Sequence, residues 1–405
     1  MSARRRTLTA GWVLPGGGLP PLRRGEVTIE GGQVVEVREA SRGSSAAFGE
    51  DLGPGVLLPG LVNAHCHLEL SHLAGRVRPA GDFVAWVADL VEARAAVNGP
   101  RLVRTAAREA IDALVACGTV ALGDVSNALL HLDLLGASPL RSVVFFELLG
   151  WDPAAASRVM AAAEARLRDV GGRTPFENVQ VRLAAHAPYS VSEALFRALA
   201  KAGEPASLHL AESPHESRFL AEGDPAWSAF LQSRGLGDVA FTPPRVSPVR
   251  YMDALGVLGR EGPPLVAAHC VQADLEDCRL LAERGVFVVL CPRSNERLGV
   301  GTPPLPALLA AGVRLCLGSD SLTSAPSLDV LEDARALHRA FPEIAPHVLV
   351  AMATAGGASA LGLDDLGTIL PGKRAALAYA DTPSTPIDPY AFLLDHEVRL
   401  RPVPA

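Results

Sequence analysis

Histidines and acids recur in this chain directly after short apolar runs. His65 and His67 follow the first run and are separated by one residue. On a β-strand, residues i and i+2 point to the same side, so both imidazoles can enter one cavity. Imidazole nitrogens and carboxylate oxygens bind borderline divalent cations, and the same groups act in acid–base catalysis. Comparable polar residues at or just after the ends of later runs are His186, His209, Glu212, His269 and Asp320.

These residue types predict a site for one divalent metal ion. Three histidines and a carboxylate form a suitable ligand set for zinc and leave room for water, and iron(II) or manganese are alternatives. A two-metal site bridged by a carboxylated lysine would need that lysine after the fourth run, where His186 stands. The only lysines are Lys201 and Lys373, and both lie elsewhere. One metal ion is therefore preferred.

The apolar runs predict the elements that position these residues. Runs without polar alternation, separated by segments with helical spacing, are typical of a parallel sheet covered by helices. Side chains that follow such strands line the active site of a (β/α)8 barrel. We predict a distorted TIM barrel, with a doubly wound sheet as the alternative. The eight runs are Val56–Val62, Thr119–Leu122, Ser142–Phe146, Val179–Ala185, Ala206–Leu210, Leu265–Ala268, Val286–Leu290 and Val313–Leu317.

The two ends of the chain have a different pattern. Gly25–Glu30 and Gln33–Val37 alternate polar and apolar residues and are joined by two glycines, which indicates a hairpin. Strand-like segments return after Leu363, and the proline-rich tail from residue 381 is predicted to be irregular. We therefore predict an α/β protein with a second, small β-sandwich-like domain. The predicted limits are 1–54 and 366–405 for the small domain and 55–365 for the barrel.

Composition narrows the functional class. The chain has 405 residues, a net charge of −7 and 49% hydrophobic residues, which excludes a disordered protein and argues against nucleic acid as a partner. No apolar stretch is long enough to span a membrane. Six scattered cysteines and no signal peptide predict a cytoplasmic protein with reduced thiols. The expected partner is a small molecule, and homo-oligomerisation stays open.

As an ordered set, the motifs resemble the amidohydrolase superfamily, in the single-metal branch that contains adenine-type, cytosine and guanine deaminases. The resemblance extends over nearly the whole chain. The family usually has aspartate at the position of Ala376, but this position lies in the predicted small domain and affects no catalytic residue. The matching motifs are Leu58–His67, His209–Glu212, Ala268–Val271, Cys291–Asn295 and Leu317–Asp320.

The resemblance implies a reaction and a role for each site residue. The implied reaction is hydrolytic deamination, in which water adds to C6 of an aminated heteroaromatic ring and ammonia leaves. Glu212 would protonate ring nitrogen N1, and His269 with Asp320 would accept the proton of the water. The implied metal ligands are His65, His67, His209 and Asp320.

Further segments resemble the 6-amino-6-deoxyfutalosine deaminases of the futalosine route to menaquinone. They imply a 6-aminopurine nucleoside as substrate and its 6-oxo form as product. Alternatives are deamination of S-adenosylhomocysteine, methylthioadenosine, adenosine or guanine, hydrolysis of an amide, cyclic amidine or chlorotriazine, and a catalytically inactive scaffold. The segments are His67–Ser71, Phe83–Val87, Glu212–Pro214, Phe219-Leu220 and Ser247–Val249.

The substrate-binding residues are less determined by the sequence. His186 is predicted to contact the purine ring or the ribose. Glu69 either binds ribose hydroxyls or has a structural capping role. A benzoate on the substrate would require a cation, for which Arg94, Arg245 and Arg250 are candidates.

Overall fold

The computed structural model describes residues 5–40, 49–78, 81–97, 99–173, 176–259, 262 and 264–404. Fifteen strands are assigned within these ranges. They are β1 (Arg5–Val13), β2 (Leu22–Glu30), β3 (Gln33–Glu39), β4 (Gly49–Asp51), β5 (Val56–Pro59), β6 (Leu61–Cys66), β7 (Thr119–Ser126), β8 (Arg141–Leu148), β9 (Val179–Ala185), β10 (Ser207–Leu210), β11 (Val266–His269), β12 (Phe287–Leu290), β13 (Arg314–Leu317), β14 (Leu377–Ala380) and β15 (Leu400–Val403).

Helices connect most of these strands. Short 3-10 helices cover Leu68–Leu73 and Pro153–Ala155, and a π-helical turn covers Met352–Gly356. The α-helices are α1 (Phe83–Ala96), α2 (Pro100–Ala116), α3 (Leu132–Gly136), α4 (Ala156–Arg173), α5 (Glu193–Lys201), α6 (Pro214–Ala221), α7 (Pro225–Ser233), α8 (Pro248–Ala254), α9 (Leu275–Glu283), α10 (Pro292–Leu298), α11 (Leu305–Ala310), α12 (Val330–Ala340), α13 (Pro346–Ala351), α14 (Gly357–Ala360) and α15 (Pro389–Asp395). No helix of the described residues is both long and apolar enough to cross a bilayer.

Internal contacts divide the chain into two compact units. The first consists of Met1–Ala64, Asp112–Leu122 and Asp329–Ala405. The second consists of His65–Ile111 and Gly123–Leu328, and it contains every predicted site residue. The domain limits expected from the sequence stay a prediction.

The first unit contains a seven-stranded sheet in the order β15-β14-β5-β1-β2-β3, with β4 paired to β1. The expected hairpin is confirmed, because β2 and β3 pair antiparallel. The expected return of the chain to this sheet is also confirmed, since β14 pairs antiparallel with β5. Leu8, Ile29, Leu57 and Tyr379 are buried in its core.

The prediction of an irregular tail was wrong. Asp388 caps helix α15 by accepting hydrogen bonds from the backbone N–H groups of Tyr390 and Ala391. Strand β15 then pairs antiparallel with β14. The prolines precede or flank these elements, where a missing N–H group costs little.

The predicted α/β class with parallel strands is confirmed. Two parallel four-stranded sheets have the orders β6-β7-β8-β9 and β10-β11-β12-β13. The residues of β10, β11 and β12 are all buried, as expected for strands covered on both faces.

The first apolar run does not form a single strand. It divides at Gly60 into β5, which belongs to the seven-stranded sheet, and β6, which begins a parallel sheet. A Cβ atom at Gly60 would lie 2.2 Å from Val120 Cγ1, so only glycine fits at this division. The sequence pattern missed the break because apolar residues continue on both sides of it.

Backbone contacts at the strand ends position the site within the second unit. Between β9 and β10, the His209 N–H donates to the His186 carbonyl over 2.8 Å. After β13, the Asp320 N–H donates to the His65 carbonyl over 3.1 Å. Gly318 permits this approach, since a Cβ atom there would lie 2.8 Å from the His65 carbonyl oxygen. The histidine pair and Asp320 are thereby brought together.

Candidate active site

Four of the predicted site residues form a tight cluster. The Nε2 atoms of His65 and His67 lie 3.2 Å apart, and Nε2 of His209 lies 3.3 Å from that of His67. Asp320 Oδ1 lies 3.3 Å from His67 Nε2 and 3.8 Å from His65 Nε2. The donor atoms of His65, His67 and Asp320 all lie within 4.8 Å of one another.

Asp320 is fixed by its second oxygen. Its Oδ2 accepts hydrogen bonds from the hydroxyls of Ser294 and Ser324 over 2.6 and 2.8 Å. Oδ1 is therefore directed at the histidines. Asp320 has a φ of +59° and His269 a φ of +75°, a region that costs a non-glycine residue about 1–3 kcal/mol. Such strain at two strand ends is typical of a functional site.

Glu147 is a site residue that the sequence analysis missed. Its Oε1 lies 3.5 Å from Nδ1 of His209, and its Oε2 accepts a hydrogen bond from the Asn127 amide. His209 Nδ1 also donates to the His186 carbonyl over 3.3 Å. Because both acceptors lie beside Nδ1 of His209, the ring hydrogen is on Nδ1, and the lone pair of Nε2 faces the cluster. Glu147 directly follows the third apolar run, and that position was the available signal.

Glu212 and His269 lie beside the cluster. Glu212 Oε1 is 3.6 Å from His269 Nε2, and both side chains are buried. His269 Nδ1 donates to the Asn295 side-chain oxygen over 3.0 Å, which leaves its Nε2 as an acceptor. The loop that carries Glu212 is held by Glu216, whose carboxylate accepts from the backbone N–H groups of Ala211 and Glu212.

Burial sets the charge states of this site. It lowers the pKa of His65 and of His209 well below the ordinary value, and it lowers that of His269. Burial raises the pKa of Asp320, but His67, His269 and His65 together outweigh that effect and bring it to about 2. Burial and the neighbouring Asp320 raise the pKa of Glu212 well above its usual value. The imidazoles of His65, His209 and His269 are therefore neutral beside the carboxylate of Asp320, with a protonated Glu212 next to them.

The cluster fits a divalent cation. Nε2 of His67 lies 3.2 Å from that of His65, 3.3 Å from that of His209 and 3.3 Å from Asp320 Oδ1, so the lone pairs of neighbouring ligand atoms face and repel one another. A cation converts this repulsion into attraction, and nitrogen with oxygen ligands suits zinc, iron(II) or manganese. Two further groups of side chains satisfy the same 4.8 Å condition: His65, His209 and His269, and Glu147, His186 and His209.

The two predicted substrate-binding residues line the adjoining cavity. Nδ1 of His186 lies 2.5 Å from the Ser190 hydroxyl, and burial lowers the pKa of His186 to about 4. Both oxygens of Glu69 have protein partners. One binds the Arg94 guanidinium, and the other accepts from the Ser126 hydroxyl and the Ala128 N–H. The substrate roles of His186 and Glu69 stay predictions.

The cavity has a volume of about 520 Å³ and an aromatic wall. The rings of Tyr189 and Trp227 stack at 4.3 Å, and Phe83 meets both edge-on at 6.4 Å. Phe83 and Trp86 belong to α1, and Trp227 belongs to α7. The cavity can therefore hold a flat aromatic ligand with one end at the histidine cluster.

Comparison with known proteins identifies the family. The model of the amidohydrolase family matches residues 56–400. The chain belongs to the amidohydrolase family. It is accordingly a hydrolase that acts on carbon–nitrogen bonds.

Individual relatives are deaminases. An aminodeoxyfutalosine deaminase of Deinococcus radiodurans is 35% identical over 77% of this chain and 75% of its own length. A 5′-deoxyadenosine deaminase of Methanothermobacter thermautotrophicus is 28% identical over 96% of this chain and 88% of its own. The superfamily expected from the motifs is thus confirmed.

Two solved structures are similar over almost the whole chain. Helicobacter pylori aminofutalosine deaminase, in complex with methylthio-coformycin, has a TM-score of 0.84 at 24% identity and covers 97% of both chains. A zinc-bound adenosine deaminase from Xanthomonas campestris has a TM-score of 0.78 at 26% identity, covering 97% of this chain and 89% of its own. The first of these likenesses concerns the fold alone.

Proposed function

We propose that this protein is a metal-dependent deaminase of 6-aminopurine nucleosides that yields the 6-oxo product and ammonia. The observation that carries the proposal is the proximity of Glu212 and His269 to a cluster of three histidines and Asp320. An acid, a base and a metal-ligand set in one buried cavity are the groups that hydrolytic deamination needs. The similarity to three proteins named as deaminases supports the same reaction.

One divalent ion, preferably Zn²⁺, with Fe²⁺ or Mn²⁺ as alternatives, completes the proposed site. The proposed ligands are His65, His67, His209 and Asp320. When bound, such an ion lowers the pKa of water toward neutrality and so supplies a nucleophile at physiological pH. The zinc in the Xanthomonas campestris structure supports this choice of metal.

Three side chains of the protein transfer the protons of the reaction. Asp320 and His269 take the proton that water loses as its oxygen adds to C6. Glu212 donates a proton to N1, which its raised pKa and its position beside His269 favour. The proton held by Asp320 and His269 then passes to the amino group, the C6–N bond breaks and ammonia leaves, and the C6 hydroxyl returns a proton to Glu212 as the C6 carbonyl forms. Positioned acid–base groups of this kind contribute about 10²–10⁴-fold each.

We further infer that β6 to β13 are the eight strands of a distorted (β/α)8 barrel. The hydrogen bonds between β9 and β10 and the parallel bridge of Cys66 with Asp320 support this arrangement. All proposed catalytic groups then lie at or just after the carboxyl ends of strands, where TIM-barrel enzymes have their active sites.

For the substrate, we infer 6-amino-6-deoxyfutalosine, converted to futalosine in menaquinone biosynthesis. The 35% identity to the Deinococcus radiodurans enzyme and the long aromatic cavity support it. 5′-Deoxyadenosine is the second candidate, because the Methanothermobacter enzyme aligns over more of the chain. His186 and Glu69 are proposed to contact the nucleoside.

An ammonia-release assay tests the proposal. The zinc-loaded enzyme is given 6-amino-6-deoxyfutalosine, 5′-deoxyadenosine, S-adenosylhomocysteine, methylthioadenosine, adenosine, guanine and cytosine. We expect the highest kcat/KM with 6-amino-6-deoxyfutalosine. A higher value with another nucleoside would correct the substrate, and no ammonia from any compound would refute the deaminase.

A further inference from the structure

The cavity has charges of opposite sign at different places. Four acidic side chains line it at or near the histidine cluster: Glu69, Glu147, Glu212 and Asp320. A fifth acid, Asp152, also lines it and accepts the Ala154 N–H as a helix cap. These side chains offer an anionic ligand group no cation, since Glu69 is already paired with Arg94, so such a group finds its side-chain counter-ion in another part of the cavity.

Among the described residues, two arginines line the cavity, and of these Arg234 alone is available to such an anion. Arg94 binds Glu69 and the Asn127 side chain. Arg234 has no ion pair with any residue that the structure describes, and its guanidinium lies over the Phe230 ring at 5.3 Å. Arg245 and Arg250, candidates from the sequence, do not line the cavity, and Arg250 is paired with Asp274 and Asp277.

An aromatic path leads from the cluster to Arg234. His209 contacts the ring of His186 at 4.9 Å, and Tyr189 follows at 5.6 Å. Tyr189 stacks on Trp227 at 4.3 Å, and Trp227 meets Phe230 at 5.4 Å. Each of these residues lines the cavity, and so does Arg234 over Phe230. The surface therefore suits a ligand with aromatic groups at both ends.

We propose that Arg234 is a specificity-determining residue that binds a carboxylate on an aromatic group at the far end of the nucleoside substrate. This inference rests on the proposed function and specifies its substrate class: an aminopurine nucleoside with an arylcarboxylate tail. The purine amino group enters the end of the cavity that holds the histidine cluster. The carboxylate of the substrate binds Arg234, the one arginine without an ion pair among the described residues that line the cavity. The guanidinium forms charge-assisted hydrogen bonds to the carboxylate while the ring packs by Phe230.

The test compares an acid with its neutral counterpart. Holoenzyme is assayed with 6-amino-6-deoxyfutalosine and with the same compound bearing a benzamide in place of the benzoate. We expect the wild type to prefer the acid about tenfold in kcat/KM, mainly through KM. Arg234→Gln removes this preference with little change in kcat, and Arg234→Lys restores part of it. Arg168→Gln, an exposed arginine outside the cavity, leaves it unchanged.

A binding measurement separates this inference from the proposed function. Quenching of tryptophan fluorescence gives the Kd of the 6-oxo product and of its benzamide for each variant. If the wild type releases no ammonia, the proposed function fails, and the loss of acid preference in Arg234→Gln binding still supports the carboxylate site. If Arg234→Gln keeps the preference, or weakens acid and amide equally with a lower Tm, Arg234 has no such role.

Discussion

The histidine cluster and the aromatic wall belong to the same cavity but are built differently. Residues of the cluster lie at the ends of buried parallel strands or just after them, so neighbouring hydrogen-bonded strands determine their positions. The wall comes largely from α1 and α7, whose aromatic side chains pack against one another. Rigid strand ends suit chemistry that tolerates little displacement, while helices outside the sheets can change to fit different substrates. Substitutions in the cluster should therefore change kcat, and those in the wall should change KM.

The largest effect is expected for Asp320→Asn. The amide keeps the shape but removes the charge that balances a divalent cation, so metal content and kcat/KM should both fall, the latter by 10³-fold or more. Metal analysis and ammonia release measure the two losses. Asp381→Asn, at an exposed ion pair in the first unit, is the matched control. Full activity with bound metal would exclude Asp320 as a ligand.

Glu212→Gln should separate chemistry from metal binding. Glutamine can keep the loop conformation but cannot donate the proton to N1, so kcat should fall about 10²–10⁴-fold while metal content stays at the wild-type level. Single-turnover ammonia release gives the rate. The neighbouring acid Glu216 has a different function, since it holds backbone N–H groups. Normal turnover by Glu212→Gln would remove the acid role.

Glu147→Gln tests whether the metal affinity of the cluster depends on the carboxylate that contacts His209. Loss of the carboxylate beside Nδ1 of His209 weakens the orientation of that imidazole, and partners of this type usually contribute 10–100-fold to metal affinity. Because the distance is 3.5 Å, we expect about tenfold, measured by competition with a chelator. An unchanged affinity would assign the orientation of His209 to the His186 carbonyl alone.

The smallest effect is expected in the wall. Trp227→Phe keeps an aromatic ring but reduces the stacked area against Tyr189, so KM should rise by about threefold to tenfold with kcat nearly constant. Trp12→Phe, in the first unit, controls for general effects of losing a tryptophan. If kcat of Trp227→Phe fell as far as that of Glu212→Gln, the proposed difference would be wrong, in which the cluster determines kcat and the wall determines KM.

The proximity of the cluster residues could be predicted from the sequence, because it follows from a local rule about strand ends. Each apolar run has a clear end, and the polar residue after it lies on the shared edge of a parallel sheet. Glu147 was missed although it follows the third run directly, because no histidine stands near it in the sequence. The break at Gly60 was missed because it depends on the close approach of Val120, which no local pattern contains.

The wall was much harder to predict. Arg234 ends α7, and its importance depends on which other arginines are already paired. From the sequence, Arg250 was a candidate for binding the carboxylate, but in the structure it is paired with Asp274 and Asp277 at the start of α9. Pairing partners lie far apart along the chain, so composition and spacing could not rank these cations. The tail was mispredicted for a related reason, since β15 exists only through its pairing with β14.

The hydroxyls of Ser294 and Ser324 on Asp320, together with the Asn295 amide on His269, have a practical consequence. These contacts come from protein groups alone, so the side chains of Asp320 and His269 keep their orientation before any cation arrives. A chelated preparation should remain folded, and it should accept cobalt(II) or cadmium(II) without refolding. The visible absorption of cobalt would then report the coordination geometry of this centre directly in solution.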